Sequence, residues 1–137
     1  MNLPKRLSIL VMAIAFLTPV SPIDAHHSFA AEFDADKRTQ LTGVVTKVEW
    51  MNPHVWFYVN VKDEATGKVN NWDWELSSPN GLMRRGWTRN SLKQGDTVTV
   101  TGWLAKNAPH VANAQSVTLA NGKRVFAGSS AENENPQ

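Results

Sequence analysis

VEWMNPHVWFYVNV, residues 48–61, closes one β-strand, turns at Asn52-Pro53 and opens a second strand at His54. Past the corner the alternation has period two. Val55, Phe57, Val59 and Val61 form an apolar row for the core, and His54, Trp56, Tyr58, Asn60 and Lys62 face the other way. The outward row holds an imidazole and two large aromatic rings, so the functional surface is expected there.

Working outward, TQLTGVVTKVEW (39–50) is rich in β-branched residues and reads as the first full strand, with Gly43 at a bulge or bend. Upstream, HHSFAAEFDADK (26–37) has Phe29 and Phe33 as its bulky apolar residues and is expected to plug one end of the fold. Downstream, DEATGKVN (63–70) is a hairpin turn, and residues 71–76 form a third strand. Trp72, Trp74 and Leu76 share its core face, and Asp73 and Glu75 share a face assigned to solvent. Ser77 or Ser78 caps a short helix with Pro79 in its first turn, and Gly86 ends it. TVTVTGWL (97–104) alternates most regularly, with Val98, Val100 and Leu104 inward and Thr99, Thr101 and Trp103 outward. Residues 110–119 form a weaker fifth strand, and Asn121-Gly122 suits a tight hairpin turn into a brief edge segment. Three meander strands, a short helix and two more strands make an all-β chain with one short helix. Their order is that of a small OB-fold-like five-stranded barrel, with a small β-sandwich as the competing topology.

The first 25 residues are expected to be a secretory signal peptide. Lys5 and Arg6 precede an apolar run from Leu7 to Val20, which Ser21, Pro22 and Asp24 break ahead of cleavage after Ala25. The chain is therefore expected in the periplasm, as a domain over residues 26–127 followed by a disordered polar tail at 128–137. Without the leader the charge falls to +1, which provides no field for nucleic acid. No cysteine is present, which rules out thiolate catalysis and disulfides. The apolar run is also too short for a comfortable membrane span, so no stable insertion is expected after cleavage.

Two groups of residues can carry chemistry. After cleavage His26 would offer both a free α-amine and an imidazole, and His27 and His54 would complete a nitrogen-rich set best suited to Cu(II). Trp56, Tyr58 and Trp103 lie on outward rows and would form an aromatic platform for a flat molecule. Asp73 and Glu75 lack the opposed geometry of a carboxylate pair, and no nucleophile motif or phosphate loop is present.

HHSFAAEFDADK, LTGVVTKVEWMNPH, WELSSPNGLMRRGWTRNSLKQGDTVTVTG and VFAGSS together resemble a family of exported bacterial proteins, mainly proteobacterial, classed as a domain of unknown function. The resemblance covers nearly all of the chain after the leader. Its signatures fall on His26 and His27, on Asn52, Pro53 and His54, and on Gly86 and Trp87; Met51 departs from the polar residue common there. It implies export and a single domain, makes His26, His27 and His54 a joint feature, and implies no activity.

Two functions are expected to compete, neither of them enzymatic. One is a periplasmic copper-binding protein using the N-terminal histidine. The other is a binding module that presents its aromatic face to a small molecule or an exported partner protein.

Overall fold

A computed structural model describes residues 28–126. The expected signal peptide and C-terminal tail, together with His26 and His27, lie outside the described residues. In chain order the elements are α1 (Phe29–Glu32), β1 (Phe33–Glu49), β2 (Trp56–Lys62), β3 (Val69–Glu75), α2 (Pro79–Arg84), β4 (Thr97–Ala105), β5 (Val111–Leu119) and β6 (Arg124–Phe126). Among the described residues no helix is long and apolar enough to cross a membrane.

The expected five-stranded barrel is corrected. The strands form one six-stranded sheet in the order β3-β2-β1-β4-β5-β6, and it is not a closed barrel. The cause lies along the outer edge of β5, which two different strands divide. At its start β5 pairs in parallel with β3 through Asp73↔Val111, Trp74↔Ala112 and Glu75↔Asn113. Farther along, Ser116, Val117 and Thr118 pair with β6 instead. β3 therefore meets β5 along a short seam only, and residues 69–72 run past it.

β1 is longer than the β-branched run implied, because residues 33–38 continue it toward α1. Its pairing with β4 skips from Phe33↔Ala105 to Arg38↔Trp103, an irregularity that bends the strand across the sheet. The corner at residues 50–55 contains a cis Asn52-Pro53 bond. Val55 then hydrogen-bonds both ways with the chain leaving β3, its N–H to the Ser77 carbonyl at 3.1 Å and its carbonyl to the Leu76 N–H at 2.8 Å.

The core follows the alternation of β2. Val55, Phe57, Val59 and Val61 are buried, together with Trp74, Leu76, Leu82, Val98, Val100 and Val117. Phe57 stacks on Trp74 at 6.4 Å, and Trp74 on Trp72 at 6.2 Å. α2 is six residues long, too short to persist by propensity, and is fixed at both ends. The Ser78 hydroxyl accepts from the Gly81 N–H, and Leu82 lies in the core.

Two close strand approaches admit only glycine. A Cβ on Gly43 would stand 2.2 Å from the Asn60 carbonyl oxygen, and one on Gly102 would stand 1.9 Å from that of Asn113. At Gly102 the approach coincides with a register shift between β4 and β5. That shift explains why β5 looked weak in the sequence. The extra residue lets Val117 join Ala112 and Ala114 in the core, although strict alternation would place it with Asn113.

Candidate functional site

The short seam between β3 and β5 organises the outward face. Register carries one lateral row from Trp56 on β2 to Glu75 on β3, Asn113 on β5 and Trp103 on β4. Residues paired in this way project from the same side of a sheet, at about 4.8 Å per step. Trp56 and Trp103 are thus joined through the seam, three strand steps apart, whereas along the other route β1 separates their strands. Tyr58 lies in the neighbouring row, opposite Asp73, which is itself opposite Val111.

The centre of the first row is buried although it faces away from the core. Glu75 is 3% exposed and Asn113 is fully buried. The solvated face expected for Glu75 is therefore corrected. Its Oε1 accepts from Asn113 Nδ2 at 3.3 Å and lies 3.1 Å from His54 Nδ1. A carboxylate withdrawn from water needs such donors, and His54, at the end of the corner, is one of them.

The copper expectation is corrected, because among the described residues no group of three or more metal-ligating side chains converges. His26 and His27, the other expected ligands, lie outside the described residues.

The aromatic residues fall into two environments. Trp103 belongs to a cluster in which Phe29 meets it edge-on at 5.4 Å and stacks on Phe33 at 5.4 Å. The Arg38 guanidinium lies 5.3 Å from the Trp103 ring centre and also binds the Gln115 side chain. Tyr58 is held by polar neighbours: its hydroxyl donates to Glu49 Oε2 at 2.7 Å, and Lys47 Nζ lies 5.4 Å from its ring centre. Lys47 also pairs with Glu49.

Trp56 walls a groove of about 240 Å³ on the outward face. Phe33, Ala105, Ala108 and Val111 supply most of its apolar lining, with Glu32 and Asn107 as polar members. Phe33 and Ala105 are register partners, and Val111 begins β5, so the groove sits beside the seam. Its walls come from four separate segments, which is why no run of sequence announces it.

The electrostatics follow these contacts. The hydrogen bond to Glu49 and partial burial push the Tyr58 hydroxyl up to about 12. Glu49 is lowered, first by Lys47 and then by Tyr58. Desolvation and the Glu49 charge raise Asp73. Because the folded Tyr58 ionises above its ordinary 10.0, this interaction stabilises the fold below pH 10 and is lost as pH rises toward 12. Tyr58 is the chain's one tyrosine, so tyrosinate absorbance reports it alone. Glu49→Ala is expected to bring the absorbance midpoint down toward 10, and an unchanged midpoint would remove Glu49 as the cause.

The chain belongs to a family of unknown function, DUF6152, whose sequence model matches residues 15–113. Comparison with curated proteins yields no match. Among solved structures, the mitochondrial single-stranded DNA binding protein Rim1 of S. cerevisiae is similar. It is 9% identical, with a TM-score of 0.48, over 61% of this chain and 93% of that one. A likeness that remote carries no argument about function.

Proposed function

We propose that this is a non-enzymatic, exported binding module of the periplasm whose groove beside Trp56 receives a ring-sized apolar group. The group would belong to a small molecule or to a side chain of an exported partner protein. The domain is small and carries aromatic clusters able to present a face to such a ligand. One observation supports the reading above the others: an apolar recess lies on the outward face, where strand alternation alone would leave separate side chains in water. Its volume suits a single ring rather than an extended polymer. The near-neutral charge after the expected cleavage also disfavours nucleic acid as the ligand.

Benzyl alcohol, a ring with one hydroxyl, is a suitable probe for calorimetry. Binding is expected to weaken about tenfold in Trp56→Ala, which removes a wall of the recess. Ala108→Trp, at an exposed position on the groove, is expected to block binding while leaving the melting temperature nearly unchanged. Equal binding by the wild type and both variants would refute the assignment.

A further inference from the structure

We propose that the end of the fold formed by the corner at residues 50–53 and the loop after α2 docks on an anionic lipid surface, as a peripheral contact without insertion of the chain. None of the residues involved lines the groove beside Trp56.

The sequence gives this end charge of one sign. Between Leu76 and Gly95 stand Arg84, Arg85, Arg89 and Lys93, with no acidic residue. The rest of the chain after the expected leader is net negative, so the domain is polarised although it is near neutral as a whole. Packing then turns the charge outward. Leu82, Trp87 and Leu92 are buried and anchor the loop to the core, while residues 83–86 and 88–90 between them are exposed. The loop is ordered between its anchors: the Trp87 N–H donates to the Leu82 carbonyl at 3.0 Å, and the Thr88 N–H to the Ser91 hydroxyl at 2.9 Å. Of the carboxylates that flank these segments in the chain, Glu75 is buried, Glu49 engages Lys47 and Tyr58, and Asp96 accepts from the Lys93 N–H.

Apolar side chains project from the same end. Met51 and Met83 are 51% and 52% exposed, on the corner and on α2. The corner is held against the loop, since the Arg89 guanidinium lies 5.9 Å from the ring centre of Trp50 and Val55 bonds to Leu76 and Ser77 just ahead of α2. Thioether chains beside guanidinium groups suit a boundary between hydrocarbon and phosphate: the flexible methionines enter the headgroup layer while the arginines meet lipid phosphates. A soluble anionic polymer would draw on the arginines alone and leave the methionines in water.

Cosedimentation with phosphatidylcholine vesicles containing about one-third phosphatidylglycerol tests this on protein purified after export. At low salt, binding is expected to be at least about tenfold stronger than to phosphatidylcholine alone. Arg84→Gln with Arg89→Gln is expected to weaken it about tenfold to thirtyfold, since each cation at an anionic surface is worth about fivefold. Met51→Ser with Met83→Ser is expected to weaken it about threefold. Lys62→Gln with Lys68→Gln, the same change of charge at the hairpin between β2 and β3, should leave it nearly unchanged. All six positions are exposed, so melting temperatures near the wild-type value are expected throughout. Equal losses from the two charge pairs would overturn the proposal, as would equal binding to the two kinds of vesicle. Methionine variants that bind as the wild type does, with poly-glutamate competing fully against the vesicles, would overturn it in favour of an acidic protein partner.

Discussion

Gly102→Ala is expected to cost about 3 kcal/mol of folding stability, which lowers the melting temperature of a domain of this size by about 15 °C. The added methyl would meet the Asn113 carbonyl oxygen at 1.9 Å and the Ala114 Cα at 3.1 Å, both backbone atoms of β5. No rotamer change relieves such a contact. β4 and β5 must instead move apart at the register shift, where Asn113 is also handed to the seam. Gly67→Ala separates this cause from a general penalty on glycine replacement. At Gly67 φ is 73° and no atom lies within 4 Å of the added Cβ, so only backbone strain of about 1 kcal/mol is expected. Urea denaturation of the two variants checks the pair, and equal losses would remove the close approach as the explanation.

The second large effect is expected at Glu75. Glu75→Ala removes a buried carboxylate that receives Asn113 and faces His54, and about 3 kcal/mol should be lost. Glu75→Gln keeps an acceptor oxygen in the same place and should lose about 1 kcal/mol. The ratio is informative because the alternative, a solvated carboxylate, predicts less than about 0.5 kcal/mol for either change. The Ala variant should also weaken binding of benzyl alcohol, since the row that Glu75 joins runs through Trp56. Loss of stability with no change in binding would confine Glu75 to a structural role.

The core was legible because β2 and β4 obey period two almost without exception. Val55 to Val61 and Val98 to Val100 lie where alternation puts them. The α2 boundaries were legible for a local reason, as Ser78, Pro79 and Gly86 each meet a requirement of helix ends. What could not be read was the seam. Whether Glu75 faces water depends on which strand lies beside β3, and that is a contact between residues 38 positions apart. The division of the β5 edge between β3 and β6 was hidden for the same reason, and with it the difference between a closed barrel and this sheet. Trp56, Tyr58 and Trp103 share the outward face but have separate neighbours, because Arg38 and Phe29 engage Trp103 while Lys47 and Glu49 engage Tyr58. Of the three, only Trp56 contributes to the groove lining.

Crystals soaked in 4-bromobenzyl alcohol would locate the ligand of the groove beside Trp56, because anomalous scattering places the bromine without reference to the protein. One dominant peak is expected in the recess between Trp56, Phe33 and Val111 in the wild type, and its loss is expected in Ala108→Trp. A dominant peak on any other surface, or one that persists in Ala108→Trp crystals, would contradict the assignment of the groove.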